Sequence, residues 1–240
     1  MKNAQNCVTI LSMKLYGFQK LTTLDYVGKL ACTVFTGGCN FRCPFCHNAS
    51  LVLRPEDEVN EEEVFSYLYK RKGLLEGICV SGGEPLLSDG IFPFLETCKR
   101  LGYAVKLDTN GAFPQRLIRA VEEGLVDRVA MDVKNCKEKY ALTTGIPNLS
   151  LSKVEESVQF LLSGRVDYEL RTTVVAEFHG EEDFVRIGKW IAGAKEYYLQ
   201  EFVDSGDLIG GNMHAVCKEE MERFRAAVVP YAPNARLRGV

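Results

Sequence analysis

Gly37-Gly38-Cys39-Asn40-Phe41-Arg42-Cys43-Pro44-Phe45-Cys46-His47-Asn48 sets three cysteines in a C-x3-C-x2-C triplet. Three thiolates that close together can each hold one corner of a four-iron cluster and leave the fourth iron open. A cluster with four cysteine ligands carries electrons, whereas one with an open iron can bind and cleave a molecule. The competing reading is a structural zinc ion, with His47 completing a Cys3His tetrahedron. Zinc ribbons normally supply two separated pairs of ligands, and no second C-x2-C occurs in this chain. His47 follows Cys46 directly, an awkward placement for two ligands of one ion. Residues far from the triplet decide between the two.

Outward from the triplet, strand-like and helix-like segments alternate. The run Ala31–Thr36 just before the cysteines is apolar and β-branched, and similar runs recur at Gly77–Ser81, Tyr103–Asp108, Val126–Asp132, Tyr168–Val175 and Glu196–Phe202. Helical signals lie between them. Asn60 with Glu63 and Ser152 with Glu155 have the capping-box spacing, Pro114 opens a helix that Gly124 closes, and Val154, Val158, Leu161 and Leu162 share one face of a helix stopped by Gly164. Such alternation predicts an α/β fold, a partial (βα)6 barrel of parallel strands with outer helices. The segment from Tyr16 to Tyr26 is expected to add an edge hairpin. A glycine-rich loop from Ser205 to Asn212 precedes a helix expected from Ala215 to Val228.

At 240 residues the chain suits one large domain, 1–240, with a barrel core over 14–203 and a C-terminal loop and helix over 204–240. Charged residues make up 25% with a net charge of −3, so no basic face for nucleic acid is expected. The apolar runs are too short for a membrane span and the first residues lead into no signal-peptide block, which predicts a cytoplasmic protein. Six of the nine cysteines lie scattered at Cys7, Cys32, Cys79, Cys98, Cys136 and Cys217. They read as non-ligands outside any disulfide framework, Cys32 and Cys79 as small core residues.

Polar clusters fall at the carboxyl ends of the predicted strands, where α/β barrels gather functional groups. In Ser81-Gly82-Gly83-Glu84-Pro85, two glycines let a ligand approach the backbone and Glu84 can accept from an ammonium group. Asp108-Thr109-Asn110-Gly111 ends the third strand and Asp132-Val133-Lys134 the fourth, placing opposite charges on neighbouring tips. They suit ribose hydroxyls, a carboxylate and a small cation. Arg171, inside an apolar strand, is either a ligand-binding group or an ion-pair partner of Glu169 or Asp132.

With these residues in place the chain resembles a glycyl-radical-enzyme activating enzyme of the radical S-adenosylmethionine (SAM) superfamily over roughly residues 14 to 203. Gly17-Phe18-Gln19-Lys20-Leu21-Thr22, Asp25-Tyr26-Val27-Gly28-Lys29 and Cys32-Thr33-Val34-Phe35-Thr36 most resemble the activating proteins of anaerobic ribonucleoside-triphosphate reductase, with pyruvate formate-lyase activases as relatives. The resemblance implies a [4Fe-4S] cluster with one open iron on Cys39, Cys43 and Cys46. It implies SAM held by Gly82, Gly83, Glu84, Asp108, Lys134 and Arg171, and a monovalent cation at Asp108, Thr109 and Asp132. The implied reaction is one-electron cleavage of SAM to a 5′-deoxyadenosyl radical that takes hydrogen from a glycine of a partner enzyme, with flavodoxin or ferredoxin as electron donor. Two departures stand out: Val27 occupies a position where proline is expected, and the histidine some activases carry on the last barrel strand has no match near Gln200 and Phe202. The rival readings are a short radical enzyme acting on a small heterocycle, as 7-carboxy-7-deazaguanine synthases do, and a metal-binding adaptor that has lost catalysis.

Overall fold

In a computed structural model that describes residues 12–240, strand and helix alternate along the chain. The order is β1 (Leu15–Thr22), β2 (Ala31–Thr36), α1 (Ala49–Leu53), α2 (Glu61–Lys70), β3 (Gly77–Gly82), α3 (Ile91–Leu101), β4 (Ala104–Thr109) and α4 (Pro114–Glu122). It continues with β5 (Arg128–Asp132), α5 (Tyr140–Thr144), α6 (Leu151–Leu162), β6 (Asp167–Val174), α7 (Glu181–Trp190), β7 (Tyr197–Glu201), α8 (Lys218–Val228) and β8 (Ala235–Arg238). The strands form one sheet in chain order. β1 runs antiparallel to β2 and every later pair is parallel. β1 and β8 do not pair with each other, so the described sheet is an open barrel.

The six expected strands are β2 to β7. Two expectations change at the edges. The predicted hairpin is β1 folding back on β2 itself, with Phe18 opposite Val34. The C-terminal segment expected to hold only a loop and a helix also supplies β8, which extends the sheet beyond β7 with Tyr197 opposite Ala235. α8 anchors this addition against α7, where the Phe184 and Phe224 rings stack 4.9 Å apart.

The core lies between sheet and helices: Cys32, Val34, Ile78, Val105 and Leu107 from the strands meet Leu95, Leu117, Val158 and Leu161 from the helices, all wholly buried. Cys98 is also buried in this layer, whereas Cys79 is buried on the other face of β3, its Sγ 3.7 Å from Asp108 Oδ1 and 3.8 Å from Lys106 Nζ; Cys7 lies outside the described residues. Asn60 caps α2 by accepting from the Glu62 N–H at 2.8 Å. The Ser152–Glu155 box does not form. α6 begins at Leu151 with Ser150 at its N-cap and no side-chain cap bond, and the Ser150 and Ser152 hydroxyls bond each other at 3.0 Å instead. No helix among the described residues is long and apolar enough to cross a membrane.

Candidate active site

The cysteine loop leaves the carboxyl end of β2 and is tied down along its whole length. The Gly38 N–H donates to the Leu51 carbonyl at 2.8 Å, Arg42 N–H to Thr144 at 2.8 Å and Cys46 N–H to Cys43 at 3.0 Å. The glycine-rich loop after β7 clasps it from outside: Gly210 N–H donates to the Pro44 carbonyl at 2.7 Å, and the Asp207 carboxylate accepts from Ser50 N–H (3.0 Å) and Ser50 Oγ (2.7 Å). Asn48, the N-cap of α1, makes no side-chain cap bond, so Asp207 supplies that function from 157 residues away.

Cys39, Cys43 and Cys46 all line one cavity of about 300 Å³ at the carboxyl ends of the strands. Burial pushes the Cys39 thiol up to about 11 and the Cys43 thiol up to about 12, so thiolates here demand a compensating positive charge, which an iron cluster supplies. Donors already aim at sulfur: Phe41 N–H lies 3.3 Å and Asn110 Nδ2 3.6 Å from Cys39 Sγ. Among the described residues no three Cys, His, Asp or Glu side chains converge on a point where a single ion could sit. A four-iron cube takes one thiolate at each of three corners, and three thiols lining one cavity are the donor set it needs.

Gly82 and Gly83 line the cavity, and both are required to be glycine by the chain beside them. A Cβ on Gly82, at φ +117°, would lie 2.4 Å from the Thr36 backbone, and one on Gly83 would lie 1.9 Å from the Gly38 carbonyl oxygen. The close approach is therefore between β3 and the cysteine loop, sealed by Glu84 N–H donating to Gly38 O at 2.9 Å. Glu84 itself departs from expectation. Its carboxylate is wholly buried and does not line the cavity. It accepts instead from Leu86 N–H (3.1 Å), Thr109 Oγ1 (2.8 Å) and Asn110 N–H (2.7 Å), locking the tips of β3 and β4 together.

Asp108, Asp132, Lys134 and Arg171 meet in one ionic network on the cavity wall. Asp108 accepts from Lys106 Nζ, Ser81 Oγ (3.0 Å) and Arg171 Nη2 (3.2 Å), while Asp132 accepts from Arg171 Nε and Lys134 Nζ (2.8 Å). Arg171 thus pairs with Asp132, one of its two expected partners, and with Asp108; Glu169 turns to Arg128 and Arg238. Burial is the largest single influence and opposes ionisation of both aspartates, but Arg171 and Lys106 together outweigh it at Asp108, as Arg171 and Lys134 do at Asp132, and both carboxyls are held below their usual range.

Sequence reasoning assigned no role to Lys106. Its sequence signal was a lysine two positions before Asp108 on the same strand, hence on that residue's face; the structure adds that it is 3% exposed and so needs a partner. Asn110 joins the site as well, bonding Asn40 at 2.8 Å across the cysteine loop. Gln200 lines the cavity where a histidine was sought, whereas Phe202 is buried elsewhere.

The profile of the Radical SAM superfamily matches residues 33–191. A Methanocaldococcus jannaschii protein provisionally named a glycyl-radical enzyme activating enzyme is 32% identical over 193 residues, 78% of each chain. A 7-carboxy-7-deazaguanine synthase of Koribacter versatilis is 30% identical over 67% of this chain and 68% of its own. A pyruvate formate-lyase-activating enzyme of Staphylococcus aureus is 28% identical over 76% of both chains.

Proposed function

We propose a function from one premise: this chain belongs to the radical SAM superfamily and, within it, to the glycyl-radical enzyme activating enzymes. It is an enzyme, and its family's cofactors are a four-iron cluster and SAM. When bound, they supply one-electron cleavage of SAM and a carbon radical able to take hydrogen from a glycine. Cys39, Cys43 and Cys46 would hold three irons. The Gly82–Gly83 backbone would receive the methionine amino group, with Glu84 fixing the turn rather than touching the ligand. Asp108, Lys134 and Arg171 would bind the ribose hydroxyls and the carboxylate, while Phe35, Phe41 and Phe45 keep water from that part of the cavity.

The observation that carries this reading is the convergence of three thiols, a bare glycine backbone and a charged wall on one cavity. The partner is a glycyl radical enzyme, in our reading anaerobic ribonucleoside-triphosphate reductase, with flavodoxin or ferredoxin as electron donor; a pyruvate formate-lyase type of partner is the neighbouring possibility. An open barrel edge favours a protein substrate that inserts a glycine-bearing loop. The relative from Koribacter versatilis supports a second reading, a small heterocycle as substrate.

Electron paramagnetic resonance of the anaerobically reconstituted, reduced protein tests the core of the proposal. A four-iron signal that changes on adding SAM is expected; stoichiometric zinc and no such signal would overturn it. A glycyl radical on a candidate reductase then supports the first reading, and turnover of a small heterocycle without partner protein the second.

A further inference from the structure

The cation expected at Asp108, Thr109 and Asp132 does not fit the residues as they stand. Asp108 Oδ1 is held by Lys106 Nζ and Asp108 Oδ2 by Ser81 Oγ and Arg171 Nη2. Asp132 Oδ1 is held by Arg171 Nε and Oδ2 by Lys134 Nζ. Each of the four carboxylate oxygens therefore already has a cationic donor. Thr109 Oγ1 is committed too, donating to Glu84 at 2.8 Å and accepting from Gly111 N–H at 3.1 Å. A third carboxylate lining the cavity, Asp25, accepts from Thr33 Oγ1.

We infer that the Arg171 guanidinium, backed by Lys106, is a resident cation that replaces an added monovalent ion in this pocket. The planar fork suits the place: Nε and Nη2 lie on one edge of the guanidinium, so one rigid group bridges carboxylates from two adjacent strands, β4 and β5. A metal ion in that position would have to displace the fork and would add charge where two carboxylates already face three cations. Lys106 completes the arrangement, because it occupies the carboxylate oxygen of Asp108 that Arg171 does not reach. The inference rests on reading this pocket as the SAM site.

SAM binding to the reconstituted protein, measured by anaerobic equilibrium dialysis, tests it in tetramethylammonium chloride, potassium chloride and sodium chloride at one ionic strength. The expected Kd agrees across the three salts within about twofold, and a tightening of about tenfold or more in potassium or sodium overturns the inference. Failure to bind SAM in every salt would instead overturn the assignment of the pocket, and the inference with it. Arg171→Gln removes the charge and keeps a planar amide. It is expected to bind SAM about tenfold or more weakly in tetramethylammonium and to be partly rescued by potassium; equal weakness in all salts means that Arg171 only shapes the pocket. Should that variant not fold, the Tm of cluster-free wild-type protein decides alongside the dialysis: potassium leaves it unmoved if the carboxylates are taken and raises it if they are free.

Discussion

Gly83 sets how closely β3 can approach the cysteine loop. A methyl group there meets the Gly38 carbonyl oxygen, a backbone atom that cannot rotate away, so Gly83→Ala should cost about 1–3 kcal/mol and spread the loop. Urea denaturation and iron content after reconstitution read both effects, and a variant that retains stability and iron would show that the backbone yields cheaply. Cys43→Ala should abolish SAM cleavage while the fold persists; full turnover would refute the cluster assignment. Glu84 makes the pH prediction. Burial pushes its carboxyl from 4.5 up to about 7 against its three hydrogen-bond donors. Between those values the native state binds a proton that the unfolded chain has released, so this group makes stability fall as pH rises through the window. Glu84→Gln should flatten that slope and cost about 1–3 kcal/mol, because its amide nitrogen faces a donor. Denaturation curves at the two ends of the window compare the slopes.

At the scale of elements, a five-residue helix such as α1 has too few internal bonds to hold itself. Its position behind the cysteines comes from the loop after β7, through the Asp207 bonds to Ser50 and the contact of Ala49 N–H with the Asp207 carbonyl at 3.3 Å. Asp207→Ala should therefore speed amide hydrogen exchange at Ser50 and leave the amides of α6 unchanged. Equal exchange at Ser50 in both proteins would show that the clasp is incidental. The capping patterns show what local sequence can and cannot say. Asn60 caps α2 because its own neighbours supply the donor, whereas the equally well-spaced Ser152 and Glu155 are overruled by a helix that starts two residues earlier, with Ser150 at its N-cap.

For the whole molecule, the cavity draws its wall from the tips of β2, β3, β4, β5, β6 and β7, so a ligand bound there ties together most of the sheet. SAM should accordingly stabilise the reconstituted protein globally, by about 2.7 kcal/mol at a hundredfold excess over Kd, with a Tm that climbs with SAM concentration. Differential scanning calorimetry checks this, and a Tm insensitive to SAM would mean that binding is absent or confined to a segment that unfolds on its own. Among the described residues, the open edge between β1 and β8 leaves the barrel without the closing pair that a sealed pocket would need.

Sequence alone determined the six central strands, their parallel order and the cysteine loop, because periodicity, turn residues and ligand spacing are local properties of the chain. Gly82, Gly83, Asp108, Asp132 and Lys134 were legible as a group for the same reason, each standing at or near a strand end, and Arg171 was legible as a charge inside an otherwise apolar strand. Tertiary structure decided how they are used. Asp108 meets Arg171 across 63 residues and Ser50 meets Asp207 across 157, and such partners follow from strand register and loop packing. The turn of Glu84 away from the cavity, the burial of Lys106 and the addition of β8 have the same origin. Each satisfies a buried polar group or a strand edge, and the available partner exists only once distant segments are side by side.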